Sequence, residues 1–451
     1  MTQTPTSTQS PQASTCDIVV VGGGPAGATV AALLAKQGRQ VVLLEKEHHP
    51  RFHIGESLLP ANVRLLERLG VRDQVEAIGM PKWGIEFCSQ QHQHRSFFEF
   101  AEAWDKSMPM AWQVRRSAFD EILFRHAASC GATTLEGCKV RQVAFDDEGA
   151  TVDAALDDGS QRRWRARFVI DASGRDTLLA NQFDLKRKNR KHNSAALFGH
   201  FTGAQRLEGR REGNISLFWF PHGWFWFIPL SDGSTSVGAV CWPYYLKSRE
   251  NSVEQFFDDT IAMAPALAER LQGATLIDGK VYATGNYSYT STRCSGERYL
   301  MIGDAYTFID PVFSTGVYLA MNSAFEAVDV VATCLDRPAE GAAARQGFER
   351  YIRKGPREFS WFIHRMTTPT MRHLFMNPGN PMRTQEAVLS LLAGDIFGKT
   401  PIWLSLTAFK CVYYLGSLAA LPRSVRAWLD HRRNVRDLGA LKGENVVAPR
   451  P

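Results

Sequence analysis

Clustered cysteine is absent from this 451-residue sequence. None of its cysteines forms a CxxC pair or a group with histidine, so the sequence predicts neither a zinc site nor an iron–sulfur centre, and we expect no metal. Scattered cysteines suit reduced thiols, which predicts a cytoplasmic location. The eight cysteines stand at positions 16, 88, 130, 138, 241, 294, 334 and 411.

Concentrated charge of one sign is also scarce. The formal net charge is +6 and the pI is about 8.9, but the basic residues form only short runs, at 186–191 and more thinly at 423–436. These runs are interpreted as solvated loops or helix faces rather than as a site for a polyanion. We therefore expect no nucleic-acid partner.

A secretory leader is not recognisable either. Residues 1–14 are rich in Ser, Thr, Gln and Pro without a basic-then-apolar layout, and are predicted to form a disordered tail. One apolar stretch, 401–421, has the length to span a bilayer. Lys410 lies in its middle and Ser, Thr and Gly interrupt it, which favours a buried helix pair. Peripheral membrane contact through this stretch stays open.

The remaining composition is that of a globular protein with two or three domains. Hydrophobic residues make up 44% and charged residues 22%, which excludes wholesale disorder. Residues 17–21 are a short β-branched run typical of a buried parallel strand, and residues 40–45 are a second one. An alanine-rich helix over 25–36, closed by Gly38, lies between them. This strand–helix–strand unit predicts a doubly wound α/β sheet.

A glycine-rich turn joins the first strand to the helix. Gly22 permits the tight turn, Gly24 lets the backbone approach a pyrophosphate, and Gly27 lets helix and strand pack closely. Pro25 and Ala26 open the helix, whose N-terminus presents unpaired N–H groups to the phosphates. Glu45, at the end of the second strand, is placed to accept hydrogen bonds from ribose hydroxyls. Together these residues predict a dinucleotide site.

The dinucleotide-binding segments recur along the chain. A helix over 120–130 and strands over 139–145, 150–155 and 168–170 precede an alternating, aromatic-rich antiparallel sheet over 195–245. A buried strand over 298–302 then leads into Gly303-Asp304 and a helix over 316–335. Asp304 can bond a ribityl hydroxyl, which favours FAD over NAD.

These motifs together resemble the FAD-dependent aromatic hydroxylase-like superfamily, over residues 15–335. The resemblance implies that Arg116 and Asp304 contact FAD and that Val143 lines the adenine. It rests on the glycine turn, Arg116 after Trp112-Gln-Val, Asp171-Ala-Ser-Gly and Gly303-Asp304.

Two further motifs resemble the signatures of flavin-dependent halogenases. The segment 224–229 fits WxWxIP, and the segment 308–316 fits FxxPxxSxG. The resemblance implies that the second loop lies against the flavin and that the backbone N–H groups of Thr315 and Gly316 hold the halide. It further implies cofactor contacts from Ser57, Pro311 and Val317.

Lys82 is the catalytic amine that this resemblance implies. It follows the family-like residues 55–58 and Pro60. Reduced FAD and oxygen would convert chloride or bromide into hypohalous acid, which passes to Lys82 and then halogenates an electron-rich ring. Lys82 would act as an ammonium that hydrogen-bonds this acid or as an amine that forms a haloamine. Trp224 and Trp226 would wall the flavin off from the substrate.

Phe313 departs from the tryptophan halogenases, which carry a glutamate at this place. The sequence instead resembles the branch that acts on phenols or on pyrroles tethered to carrier proteins, so free tryptophan is not the expected substrate. Phe313 is expected beside the two tryptophans of the wall. A base for a phenol is not evident, and Glu56 and Asp310 are only candidates.

The predicted architecture is α/β: a Rossmann-type FAD-binding domain with an inserted antiparallel-sheet substrate domain and a C-terminal helical region. No second glycine-rich unit suggests a nicotinamide domain, so a separate flavin reductase is expected as a transient partner.

An aromatic hydroxylase, a prenyl-chain reductase and a non-catalytic scaffold are the alternative functions. Secondary metabolism is the expected setting of a halogenase. The predicted boundaries are 1–14 for the tail, 15–80, 111–180 and 285–335 for the FAD-binding domain, 81–110 and 181–284 for the substrate sheet, and 336–451 for the helices.

Overall fold

The structure, a computed structural model, describes residues 13–189, 192, 194–285 and 288–436. The predicted tail lies outside the described residues except for its last two, and so do Arg190 and Lys191 of the first basic run. The strands are β1 Ser14–Val21, β2 Val41–Leu44, β3 Met80–Lys82, β4 Gly84–Ser89, β5 Ser96–Glu99, β6 Ala111–Gln113, β7 Thr133–Leu135, β8 Cys138–Phe145, β9 Ala150–Leu156, β10 Gln161–Asp171, β11 Lys186–Lys188, β12 Ala195–Thr202, β13 Ile215–Phe220, β14 Gly223–Pro229, β15 Thr235–Cys241, β16 Thr275–Leu276, β17 Tyr282–Thr284, β18 Tyr289–Ser291, β19 Ser295–Gly296, β20 Tyr299–Met301 and β21 Thr307–Phe308. The helices are α1 Pro25–Lys36, α2 Pro60–Leu69, α3 Arg72–Ile78, α4 Arg116–Ser129, α5 Leu178–Gln182, α6 Pro243–Lys247, α7 Val253–Ala262, α8 Pro265–Arg270, α9 Thr315–Asp336, α10 Pro338–Ile363, α11 Pro369–Met376, α12 Thr384–Leu392, α13 Trp403–Ala419 and α14 Leu421–Arg436.

The first large sheet contains the predicted strand–helix–strand unit. Its strand order is β19-β20-β10-β1-β2-β7, and β1 pairs in parallel with both β2 and β10. The doubly wound α/β prediction is confirmed. Strand β1 begins three residues before the predicted Asp17, because Ser14 and Thr15 pair with Trp164 and Arg165.

Strand β10 is much longer than the three residues predicted for it. Its first half, Gln161–Ala166, pairs antiparallel with β9, while β1 pairs in parallel with residues 164–171 and β20 with residues 169–171. Only the second half is buried on both faces. The charged first half therefore escaped a search for continuous apolar runs.

The second large sheet has the order β16-β12-β15-β14-β13-β4-β5. Its central pairs are antiparallel as predicted, but β13 and β4 run parallel, which corrects the expectation of a purely antiparallel sheet. The correction arises because β4 comes from the earlier segment 81–110, far from the hairpins of 195–241.

Alternation along β14 sends its aromatic rings to two different cores. Trp224 and Trp226 belong to the core shared with the first sheet. Phe225 and Phe227 lie on the opposite face, in a separate core covered by α7 and α8. Successive side chains of a strand point to opposite faces. The sheet is therefore a partition between two apolar layers.

The glycine turn brings α1 against β1 and the neighbouring helices. A Cβ added at Gly27 would lie 1.8 Å from the carbonyl oxygen of Gly22, and Gly22 itself has a φ of 102°. Both positions thus require glycine. Helix α1 also packs on α4 and α9, which places the N-termini of α1 and α9 near each other.

The C-terminal region is helical from Pro338, as predicted. The stretch 401–421 forms α13 and the start of α14, which meet at a bend of 101°. Leu406 and Phe409 are buried, but Leu415 and Leu418 are exposed. The expectation of a buried helix pair is therefore wrong for one side of α13.

Among the described residues, α9 is the one continuous helix that is both long and apolar enough to span a membrane. Of its most apolar 18 residues, 61% are buried inside the protein. It is accordingly a core helix of this fold.

We predict that Gly27→Ala destabilises the protein by more than about 3 kcal/mol, because the new methyl group overlaps backbone that cannot move without parting α1 from β1. Thermal or urea unfolding measures this. Gly347→Ala on α10 is the matched control, since a Cβ there meets nothing within 4 Å. Equal stability of the two variants would contradict the close-packing role of Gly27.

Candidate active site

A cleft of about 680 Å³ runs along the carboxyl edge of the parallel sheet. This is the edge at which open α/β sheets bind their ligands. Most of the residues predicted from the sequence line it: Gly22, Gly24, Pro25, Ala26, Glu45, Ser57, Arg116, Trp224, Trp226, Asp304, Pro311, Gly316 and Val317.

Five predicted residues lie off the cleft wall: Gly27, Lys82, Val143, Phe313 and Thr315. The peptide N–H and carbonyl of Val143 are both hydrogen-bonded to the side chain of Gln182, and Val140 lines the cleft nearby. A β-bulge between Val140 and Gln142 shifts the register of β8. The sequence pattern gives no sign of this bulge.

The glycine turn forms one end of the cleft. A Cβ at Gly24 would meet only Arg51, at 3.4 Å, so the backbone there is open to a ligand. The Glu45 carboxylate accepts a 2.7 Å hydrogen bond from the N–H of Gly23 and thereby holds the turn. Arg51 also lines the cleft and was missed from the sequence, where no motif marks it.

Arg116 fastens the loop that precedes α2. Its guanidinium binds both oxygens of Asp120, at 2.8 and 3.0 Å, and donates to the carbonyl of Ile54 at 2.7 Å. Burial works to raise the pKa of Asp120, but Arg116 and Arg51 outweigh it and hold that pKa below its usual value. Arg116 is thus fixed in the cleft as a permanent cation.

Asp304 is a half-buried carboxylate that lines the cleft. Burial raises its pKa to about 6, against the opposing effect of Arg175 and Arg116. A desolvated carboxylate of this kind needs a donor to stay ionised. Hydroxyl groups of a ribityl chain would supply such donors.

The cleft fits FAD. Its volume is that of a large ligand site, its glycine turn is open at Gly24, and the N-termini of α1 and α9 both face it. Among the described residues, no group of three His, Cys, Asp or Glu side chains could hold a metal ion.

The second signature loop places the start of α9 on the wall of the same cleft. Ser314 adopts a left-handed conformation with a φ of 57°, and α9 begins directly after it at Thr315. The N–H groups of a first helical turn have no partner within the helix, and they attract small anions. Thr315 is buried and Gly316 faces the cleft.

Trp224 lies between this cleft and a second, small cavity, since it lines both. Its ring centre is 6.2 Å from that of Trp226, whose indole N–H donates to Ser236 at 3.1 Å. Phe313 is buried behind the cleft against Phe362.

Lys82 is wholly buried immediately behind the cleft wall. Its Nζ donates to the hydroxyl of Ser57 at 2.9 Å and to the carbonyl of Leu58 at 3.0 Å, and it lies 5.2 Å from the ring centre of Phe100. Burial lowers its pKa to about 7. Because Ser57 lines the cleft, the side chain of Ser57 alone separates the Lys82 amine from the cleft.

The two candidate bases are both bound to histidines. Glu56 accepts from Nε2 of His200 at 2.7 Å. Asp310 accepts from Nε2 of His192 at 2.6 Å and from Ser194 at 2.9 Å. Nδ1 of His192 is buried without a hydrogen-bond partner among the described residues. His192 was missed from the sequence because it stands 118 residues from Asp310.

The sequence model of the FAD binding domain family matches residues 15–360. A flavin-dependent halogenase of Armillaria mellea is 34% identical over 345 residues, which are 71% of this chain and 68% of that protein. The tryptophan 2-halogenase of Chondromyces crocatus is 36% identical over 351 residues, or 75% of this chain and 65% of that protein. The chain thus spans about two thirds of the length of these relatives.

The chain belongs to the flavin-dependent halogenases.

A halogenase relative of similar length is the 1H-pyrrole-2-carbonyl-(peptidyl-carrier protein) chlorinase of Pseudomonas fluorescens, 30% identical over 84% of this chain and 89% of that protein. Among solved structures, the myxobacterial chondrochloren halogenase is 31% identical with a TM-score of 0.74, covering 90% of this chain and 97% of that one. A flavoprotein/dehydrogenase from Cytophaga hutchinsonii is 27% identical with a TM-score of 0.81, covering 90% and 100%. FAD and halide are therefore the cofactor and co-substrate of this halogenase, and the sequence prediction of both is confirmed.

We predict that the affinity of this halogenase for FAD weakens as the pH falls through about 6, because protonated Asp304 is a weaker acceptor for a hydroxyl than the carboxylate. Asp304→Asn should weaken binding about tenfold or more at pH 7 and remove this pH dependence. Titration of the flavin fluorescence measures both. The control is Asp184→Asn, an exposed carboxylate away from the cleft. An unchanged pH profile in Asp304→Asn would contradict the assignment.

Proposed function

We propose that this halogenase acts on an electron-rich phenol or on a carrier-bound pyrrole, with Lys82 delivering the halogen. The observation that supports this most is the buried amine of Lys82, one side chain behind the cleft. The chlorinase relative acts on a pyrrole bound to a carrier protein, and Phe313 occupies the place of the glutamate of tryptophan halogenases. The tryptophan 2-halogenase relative makes tryptophan the alternative substrate to exclude.

FAD, delivered reduced by a separate flavin reductase and reacting with oxygen, supplies the oxidising equivalent that converts halide into hypohalous acid. The chain's part begins with the halide, which the N–H groups of Thr315 and Gly316 hold at the start of α9. Trp224 and Trp226 keep the ring to be halogenated away from the flavin. Eight free cysteines agree with a reducing compartment such as the cytoplasm.

Lys82 receives the hypohalous acid in a site where, among the described residues, no carboxylate forms an ion pair with it. A pKa near 7 makes both forms of the amine available at neutral pH. The ammonium form can donate to the oxygen of the acid, and the neutral amine can take the halogen as a haloamine with release of water. Ser57 and Leu58 fix the Nζ atom in either form.

The proton that the substrate loses needs a base on the side of Trp224 that faces the small cavity. His192 and Asp310 both line the small cavity, and His192 is the better candidate because its Nδ1 has no hydrogen-bond partner among the described residues. Asp310 would hold the imidazole and stabilise its charge after proton transfer.

We predict that Lys82→Met lowers ring halogenation at least about 100-fold while FAD binding and NADH-driven oxygen consumption persist. The assay combines a flavin reductase, NADH and bromide with phenols, a carrier-bound pyrrole and tryptophan, and reads the bromine isotope doublet by mass spectrometry. Lys399→Met, at an exposed position, is the control. Undiminished bromination in Lys82→Met, hydroxylated products, or bromination of tryptophan alone would contradict the proposal.

The pH profile of the same reaction should inflect near 7, where Lys82 passes from ammonium below to amine above. A rate that rises through this pH indicates the haloamine, and a rate that falls indicates the ammonium. A profile without this inflection would contradict the role of Lys82.

We predict that His192→Gln lowers bromination of a phenol about 100-fold with a smaller change in the KM, since it removes the base but not the cavity. Ser194→Ala leaves the imidazole in place and should retain most of the activity. Equal rates in both variants, measured at saturating bromide, would show that His192 is not the base.

A further inference from the structure

The outer side of the helix pair α13–α14 exposes large aliphatic side chains that the halogenase reaction does not use. Their exposed fractions run from 45% at Val425 to 71% at Leu404. We call this surface the C-terminal apolar face; it consists of Leu404, Leu415, Leu418, Leu421, Val425 and Leu429.

Helical spacing gathers these side chains on one side of each helix. On α13, Leu404, Leu415 and Leu418 are eleven and fourteen positions apart, near three and four whole turns. On α14, Leu421, Val425 and Leu429 follow at intervals of four. Helix α14 is thus amphipathic. Helix α13 buries Leu406 and Phe409 on its inner side and carries a second apolar stripe turned outwards.

Positive charge accompanies the apolar stripe. Arg423 and Arg426 are exposed on α14. The sequence of Leu421–Arg436 contains five arginines and one histidine, and Asp430 is its only acidic residue. An aliphatic stripe with a tryptophan and a cationic remainder is the pattern of helices that lie in a membrane interface.

Helix α13 is fastened to the protein body and does not cross a bilayer. Lys410 Nζ is 3.0 Å from the carboxylate of Glu358 on α10, and the ring of Phe409 stacks on Phe362 with centres 5.6 Å apart. The bend of 101° before α14 also excludes one straight span. The face can therefore only rest on a surface.

We propose that the C-terminal apolar face docks this halogenase onto the surface of an anionic lipid bilayer. The leucines enter the boundary between headgroups and acyl chains, and Arg423 and Arg426 contact lipid phosphates. A second copy of the chain fits less well, because the arginines of the two copies would face each other.

Co-sedimentation of the full-length holoenzyme with vesicles tests this. Binding to mixed phosphatidylcholine and phosphatidylglycerol vesicles should exceed binding to pure phosphatidylcholine roughly 30-fold, from two arginines near the surface. Added salt should reduce it. Leu415→Glu with Leu418→Glu should abolish binding, and Arg423→Glu with Arg426→Glu should remove the preference for the anionic vesicles.

Matched controls are Met382→Glu, an exposed apolar side chain elsewhere, and Arg187→Glu with Lys188→Glu in the other basic run. Both should bind vesicles like the unchanged protein, and FAD binding checks the folding of every variant. No vesicle binding, equal binding to both vesicle types, or self-association that the leucine variants abolish would overturn the proposal. Binding confined to an acidic protein would overturn it as well.

Discussion

The contact between Gly27 and the carbonyl oxygen of Gly22 is the constraint on which the site depends. It lets α1 lie directly on β1, so that the N-terminus of α1 points along the sheet edge into the cleft. Helix α9 packs on α1, and its own N-terminus also lines the cleft. Two helix N-termini at one cavity create a site for a phosphate group and for a small anion.

The second sheet supplies the wall between the cofactor cleft and the region beyond Trp224. Alternation along β14 turns two tryptophans towards the cleft and two phenylalanines into a different core, so the wall is rigid and apolar on both sides. Lys82 lies behind Ser57, outside the cofactor cleft. In the proposed mechanism, oxidation of the halide and halogenation of the ring would therefore have separate places, which would protect the substrate from direct oxygen transfer. Burial lowers the pKa of Lys82, which would suit it to either form of the proposed halogen transfer.

The α/β fold and most residues of the cleft could be predicted from the sequence, because they depend on local patterns. The glycine turn, the strands on either side of α1, and the motifs at 224–229 and 308–316 each consist of neighbouring residues. Features made by distant residues could not be predicted. The His192–Asp310 pair, Arg51 in the cleft and the parallel pairing of β13 with β4 have no local signal. The bulge in β8 and the exposed side of α13 depend on packing partners that spacing alone does not identify.

The separation of the halide site from Lys82 is tested most directly by a crystal structure of the FAD-bound protein soaked in bromide, with the ion located by its anomalous scattering. We expect a bromide at the N–H groups of Thr315 and Gly316, on the flavin side of Trp224, and an amine at Lys82 still hydrogen-bonded to Ser57. A bromide bound at Lys82 instead, with none at the start of α9, would contradict it.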